Sequence, residues 1–186
     1  MLLYFNNSLY FFALSMSKKK KNILEQYELQ IWAWNPILRT ICDEVTDFSL
    51  ELKKLSKDMQ KLMRLYYGTG LAAPQIWFPI KLITTIQWKK KWEKMIEIGE
   101  TVLINPVITQ ESDSIILSEE SCLSLPEFTG YVERKKLITV EYQDIHGQKK
   151  TKEFQGYNAT VLQHEIDHLN GILFIDKLTT KPSKKK

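Results

Sequence analysis

Cysteine is scarce in this 186-residue chain: Cys42 and Cys122 are the only two, and they lie far apart. That excludes the disulfide framework that staples small secreted domains, and a reducing compartment is expected, the cytoplasm first and an organelle as the alternative. Long apolar runs are lacking too. Residues 1–15 are apolar and aromatic but are broken by Asn6, Asn7 and Ser8 and carry no basic start. They fall short of the roughly 20 residues that a membrane helix needs, so neither a secretory signal nor a membrane contact is expected. Met16, followed by Ser17 and four lysines, reads as naturally as a start as Met1 does.

The formal net charge of +4 is also thin evidence for a basic body. Lys18 to Lys21 and Lys181, Lys184, Lys185 and Lys186 supply eight positive charges, and residues 22–180 hold 18 basic against 22 acidic residues. A folded nucleic-acid-reading surface is therefore not indicated, although basic tails could touch a polyanion. What is present is ample: 44% apolar residues, with five Trp, eight Tyr and eight Phe, argue for one folded unit with a proper core. The division expected is a flexible N-terminal extension over 1–30, one domain over 31–178 and a basic tail over 179–186.

Along the chain, Thr46 to Ser49 reads as the start of a helix. Leu52, Leu55, Met59, Leu62 and Tyr66 recur at the spacing of one buried stripe, and Gly68 ends it. Gly68 to Gln75 is a small-residue loop of the kind that lets backbone approach a ligand. Lys81 to Gln87 reads as a strand. Trp88 to Ile96 reads as an exposed short helix or loop with a solvated lysine face. Residues 102–108, 115–118, 130–132, 137–143 and 148–154 read as strands, with Asp144-Ile145-His146-Gly147 as a hairpin turn that exposes His146. The fold class expected is α+β: mainly antiparallel sheets around a helix in the C-terminal half, with one long helix before them.

That later helix carries Gln163-His164-Glu165-Ile166-Asp167-His168-Leu169-Asn170-Gly171, capped at its start by Asn158 and stopped by Asn170-Gly171. His164 and His168 are about 40° apart around the axis, because each residue advances roughly 100°, so both rings can reach one metal ion. Glu165 sits where a carboxylate can take a proton from an attacking water without binding the metal. Chance explains such a pattern in only about 1% of chains of this length. A hydrolytic site needs a third ligand and an open position. No histidine follows His168 and only Asp176 is acidic beyond it, so the ligand must come from elsewhere. Cys122, within Glu120-Ser121-Cys122-Leu123-Ser124, is a strong ligand for zinc or ferrous iron. Cys42 reads as an ordinary buried thiol.

With GTGLAAPQ at 68–75, ESCLS at 120–124 and QHEIDHLNG at 163–171 in that order, the sequence resembles the peptide deformylases. The likeness runs from about Trp34 to Leu178. It implies removal of the N-formyl group from the initiator methionine of N-formyl-methionyl nascent polypeptides, with release of formate. It implies Cys122, His164 and His168 as metal ligands and Glu165 as general acid/base. Gln75 and the Leu123 backbone N–H are the implied oxyanion donors. Gly70 and Thr69 are implied to contact an extended substrate, Val161 to line the methionine pocket and Ser121 to border the substrate groove. One divalent metal is implied, with ferrous iron favoured and zinc, nickel or cobalt as alternatives.

Two positions depart from the family pattern: Ser121 replaces the usual glycine and Thr160 stands where many relatives carry arginine. A monomer is expected. Lysine clusters at both ends read either as solvated termini or as a weak ribosome contact. Two rival readings are a zinc endopeptidase, disfavoured by the missing downstream ligand, and a metal-stabilised binding module, which would close its site with four ligands.

Overall fold

The computed structural model describes residues 23–179. Residues 1–15 and both terminal lysine clusters lie outside the described residues. Helix α1 (Leu50–Leu65) starts where Ser49 Oγ accepts the Leu52 N–H at 3.4 Å, with Glu51 in its first turn and Arg64 in its last complementing the helix dipole. Its stripe of Leu52, Leu55, Met59, Leu62 and Met63 is buried. Tyr66 follows the last turn, and the Gly68 N–H closes on Met63 O at 2.8 Å.

The strands are β1 (Gly70–Ala72), β2 (Leu82–Lys91), β3 (Lys94–Glu111), β4 (Ile115–Cys122), β5 (Leu125–Lys135), β6 (Leu137–Gln143), β7 (Lys149–Gln155) and β8 (Leu178–Thr179). They form a five-stranded sheet of order β1-β2-β3-β6-β7 and a three-stranded sheet of order β4-β5-β8. Every pairing between these strands is antiparallel, so the chain is α+β with mostly antiparallel sheet. The Asp144 to Gly147 turn joins β6 to β7: the Gly147 N–H bonds Asp144 O at 2.9 Å, and His146 is exposed. Helix α2 (Tyr157–Leu169) follows β7. Packed on the first sheet, α1 shares a core with Leu71, Leu82, Ile86 and Ile104. A second core joins Leu162 and Leu169 of α2 to Ile83, Leu103, Ile138, Val140 and Phe154, and buried Cys42 belongs to it.

Three local readings are corrected. Trp88 to Ile96 is neither helix nor loop. It is the outer part of the β2–β3 ribbon, paired Lys89 to Ile96, Lys90 to Met95 and Lys91 to Lys94, with Trp92 at φ +58° in the turn. From Lys89 to Ile96 both faces meet solvent, so the apolar alternation that marks a half-buried strand has nothing to select it. Asn158 does not cap α2, which starts after Gly156 at φ +56°. The Asn158 amide instead grips the Trp88 backbone, accepting its N–H at 2.9 Å and donating to its carbonyl at 2.7 Å. Residues 23–30, read as part of a flexible extension, pack on the body: Ile23 and Tyr27 are buried in the α1 core.

Candidate active site

Three elements bring the site together. Helix α2 carries His164, Glu165 and His168; the end of β4 carries Glu120 and Cys122; the 3-10 turn Ala73–Ile76 after β1 carries Gln75. Several bonds fix α2. Gln163 clamps the Lys135 backbone, accepting its N–H at 3.0 Å and donating to its carbonyl at 2.9 Å. At the other end the Cys42 N–H bonds Leu169 O at 2.9 Å. Gly171 closes the turn at φ +69°, where a Cβ would lie 2.5 Å from Arg39 O.

Cys122, His164 and His168 each offer a ligand atom, all within 4.8 Å of one another, and all three residues are buried. Cys122 Sγ lies 3.3 Å from His168 Nε2, and the two imidazoles meet edge to face at 5.0 Å between centroids. A thiol and two imidazoles suit a divalent first-row metal such as zinc or ferrous iron, so the residues present fit one. Glu165 Oε2 and His168 Nδ1 are buried with no protein partner among the described residues. Unpaired buried polar atoms are costly, so the Glu165 oxygen, at the cavity, points to a ligand or water there.

The electrostatics follow from burial and one charge chain. Lys177 donates to Asp167 Oδ1 at 2.6 Å, Arg134 to Asp167 Oδ2 at 2.5 Å, and Arg134 also forks onto Glu120 at 2.7 and 2.9 Å. Glu120 Oε2 is in turn 2.8 Å from His164 Nδ1. Burial pushes the Glu120 carboxyl up, but Arg134 and His164 outweigh it and hold it down at about 2. It therefore stays anionic, orienting the His164 ring with Nε2 free for a metal. Burial pulls His164 down, yet Cys122, Glu120 and Glu165 hold it well above its ordinary value without a metal. His168 lies well below its own, through burial and then the charge of His164. Burial raises Glu165 to about 7, with His164 opposing. A metal cation at the ligands would displace the His164 proton and favour the Glu165 carboxylate.

The remaining expected residues border a cavity of about 760 Å³ that Cys122, His164 and Glu165 also line. Gln75 is buried with its amide direction set: Ala72 N–H donates to Oε1 at 2.8 Å, which turns Nε2 toward Ser124 Oγ at 3.1 Å and Cys122 Sγ at 3.7 Å. Leu123 follows Cys122 in the turn to β5. Thr69 accepts from the Tyr157 hydroxyl at 3.3 Å, and Gly70 abuts Glu165 so closely that a Cβ there would meet Oε1 at 2.3 Å. Val161 and Thr160 are buried in the wall and Ser121 is exposed at it. Ser121 is not among the residues with positive φ, so the position does not demand glycine. Both sheets end beside this cavity: β1 and β4 are edge strands, and Gly70 and Ser118 to Ser121 line it.

Sequence reasoning gave no role to Glu120, Arg134 or Asp167. The two acids sat in plain view beside ligands, but Arg134 carries no local signal because its partners come from β4 and α2.

A family model of polypeptide deformylases matches residues 29–184. The peptide deformylase of Rhizobium meliloti (strain 1021) is 41% identical over 145 residues, covering 78% of this chain and 81% of that protein. Among solved structures, the peptide deformylase of Thermotoga maritima superposes with a TM-score of 0.72 at 36% identity, covering 83% of this chain and 98% of that one. The class I type b peptide deformylase of Acinetobacter baumannii, bound to Met-Ala-Ser, gives 0.76 at 32% identity, covering 82% and 98%.

Proposed function

The chain belongs to the polypeptide deformylase family, and from that premise we propose how its own residues divide the reaction. The protein is a metal-dependent hydrolase that removes the N-formyl group from newly made polypeptides, leaving formate and a free N-terminal amine. Cys122, His164 and His168 hold the metal. A divalent ion there supplies Lewis acidity, which makes water a nucleophile at neutral pH and polarises the formyl oxygen. Ferrous iron is the metal we assign, with zinc, nickel or cobalt as substitutes that a Cys-His-His set also accepts.

Glu165 takes the proton of the attacking water as its oxygen bonds to the formyl carbon. Glu165 then delivers that proton to the methionine nitrogen as the C–N bond breaks. A carboxyl whose burial raises it suits both halves of this exchange. The Gln75 Nε2–H and the Leu123 backbone N–H stabilise the oxyanion. Substrate backbone adds to a free sheet edge at Gly70 and Thr69 or along β4 as far as Ser121, while Val161 lines the methionine pocket.

The observation that carries this reading is the convergence of three buried ligand atoms together with the unpartnered Glu165 Oε2, with Cys122, His164 and Glu165 lining one cavity. A binding module would be expected to close its site with a fourth ligand, and no fourth joins the group among the described residues. We place the enzyme in the cytoplasm, an organelle being the alternative, as a monomer whose catalytic domain spans 31–178 together with residues 23–30, which pack on it. No helix among the described residues is long and apolar enough to cross a membrane. Any ribosome contact is assigned to the lysine clusters at the two ends.

The test is formate release from formyl-Met-Ala-Ser by protein prepared anaerobically with iron, before and after chelation. Glu165→Gln should keep the metal and lose roughly 10²–10⁴-fold in turnover, the usual range for a positioned general acid/base. No formate with metal bound would refute the activity; a fully active Glu165→Gln would refute the role of Glu165.

A further inference from the structure

Glu165 stands on α2 and Gly70 on β1, so the distance between carboxylate and strand depends on how the helix is held against the first sheet. The ligand end of α2 has anchors of its own. Gln163 clamps the Lys135 backbone of β5, Glu120 of β4 holds the His164 ring at 2.8 Å, and the Cys42 N–H meets Leu169 O at 2.9 Å. None of these bonds reaches β1 or β2. The core that Leu162 shares with Ile83 and Leu103 does join α2 to the first sheet, but apolar packing is non-directional.

The directional link comes from the first turn of α2. Along one edge of β2 the Ile86 N–H takes Thr69 O at 2.8 Å, and there the pairing with β1 runs out. Two residues on, Trp88 presents its N–H and carbonyl on the same edge, because successive residues of a strand alternate. Asn158 meets both, accepting the N–H at 2.9 Å and donating to the carbonyl at 2.7 Å. A side-chain amide thus stands where one more residue of β1 would stand. Beside it the Tyr157 hydroxyl donates to Thr69 Oγ1 at 3.3 Å, and the Tyr157 and Trp88 rings meet edge to face at 6.4 Å between centroids. Seven helical steps of about 100° come within about 20° of two full turns, so Asn158 and Glu165 leave α2 on one face, about 10 Å apart along the axis. Releasing Trp88 would let that face tip away from β1 while the ligand end stays pinned.

We propose that Asn158 is a positioning residue for the reaction: by gripping the Trp88 backbone it holds α2 against the first sheet, so that Glu165 works at the Gly70 edge where the substrate lies. This rests on the deformylase reading and on the role given there to Glu165. Asn158 touches no reacting atom, since it is not among the described residues that line the cavity, and it acts through Glu165. The substrate cradle itself stays with β2, because the bond from Ile86 to Thr69 does not involve Asn158. Loss of the clamp therefore falls on the chemical step rather than on substrate binding. Asn158 is half-buried, so water can take over the Trp88 groups when the amide is removed and the fold is kept.

The experiment measures kcat and KM for formyl-Met-Ala-Ser with the full, metal-loaded chain, introducing Asn158→Ala into the wild type and into Glu165→Gln. In the wild type it should lower kcat about 30-fold, part of the roughly 100-fold that a 1 Å misplacement can cost, with KM within about twofold and metal content unchanged. In Glu165→Gln, where the acid/base is already gone, it should lower kcat by less than about twofold, because residues that act through one another are not additive. Asn158→Asp keeps an acceptor for the Trp88 N–H and loses the donor to its carbonyl, so it should fall in between, and it carries the same comparison if Asn158→Ala does not fold. Amide exchange reads the clamp without turnover: the Trp88 N–H should exchange at least about tenfold faster in Asn158→Ala, with the Ile86 N–H unchanged. Equal losses in the two backgrounds, an unchanged wild-type kcat or an unchanged Trp88 exchange rate overturns the proposal. No formate from the metal-loaded wild type removes the deformylase reading itself, whereas an active wild type with a fully active Glu165→Gln removes the role of Glu165 and the positioning with it.

Discussion

A Cβ placed on Gly70 would stand 2.3 Å from Oε1 of Glu165, so the bare backbone of the one is what leaves room for the carboxylate of the other. The φ of Gly70 is not positive, so alanine could adopt its backbone there; only the contact forbids it. What it meets is the Glu165 side chain from Cγ outward, at 2.3 to 2.8 Å, and no backbone atom, so the carboxylate must swing aside. Gly70→Ala should therefore keep stability within about 1 kcal/mol and lose about 100-fold in kcat, since a displacement of about 1 Å can cost that much. Formate release alongside metal stoichiometry checks this. A variant with full metal and full activity would mean that Glu165 works equally well from a shifted position.

The Lys177–Asp167–Arg134–Glu120–His164 chain makes a second prediction. The Arg134 and Glu120 side chains are only 2% and 5% exposed, so neutralising Glu120 leaves the Arg134 guanidinium with Asp167 alone. Breaking a buried pair from one side costs about 3–5 kcal/mol. It also frees the His164 ring, and loss of such an outer partner usually lowers metal affinity about 10–100-fold. Glu120→Gln should show both losses, in urea denaturation of the metal-free protein and in a metal titration. A stable variant with unweakened metal binding would make this chain incidental.

How much of this could be read from the residues alone depends on what each one packs against. The α1 stripe was legible because Leu52, Leu55, Met59 and Leu62 face one core at helical spacing, and the ligand trio because its residue types have few other uses. The ribbon from Trp88 to Ile96 was not, since beyond Trp88 it buries neither face and so leaves no alternation. Asn158 has the chemistry of a cap, and only the tertiary structure shows that the Trp88 backbone claims its amide. Ile23 and Tyr27 were read as extension because the lysines before them dominate the composition, whereas their side chains complete the α1 core.

Asp58 links that N-terminal segment to α1 and gives a prediction in pH. It accepts from the Tyr27 hydroxyl at 3.2 Å, Lys54 at 3.1 Å and Lys61 at 2.6 Å. Burial pushes its carboxyl up, but Lys61 and Lys54 outweigh this and hold it below 3.8. A carboxyl that is lower in the folded state stabilises fully above its unfolded value and ceases to as pH falls through the folded one. Asp58→Asn should thus be less stable than wild type by on the order of 1 kcal/mol at neutral pH. The gap should close as pH falls below 3.8. Paired melts across that range check it, and a gap that does not narrow in acid would assign the loss to packing rather than charge.

Ser121 tests whether the departure from the family glycine matters. It sits opposite Thr129 just before the register shift at Cys122, exposed at the cavity wall and without positive φ. Glycine is thus not needed for the backbone, and the serine acts only by occupying space on the substrate side. Removing that side chain should widen the groove beside β4 and raise kcat/KM on formyl-Met peptides, by less than tenfold, or under about 1.4 kcal/mol. The same change puts glycine into a strand and should cost about 0.5–1 kcal/mol of stability. The two readouts move in opposite directions, so one variant separates them. An unchanged kcat/KM would mean that the groove already accommodates the serine. A fall would mean that its hydroxyl holds the substrate, which would make the departure a contact rather than an obstruction.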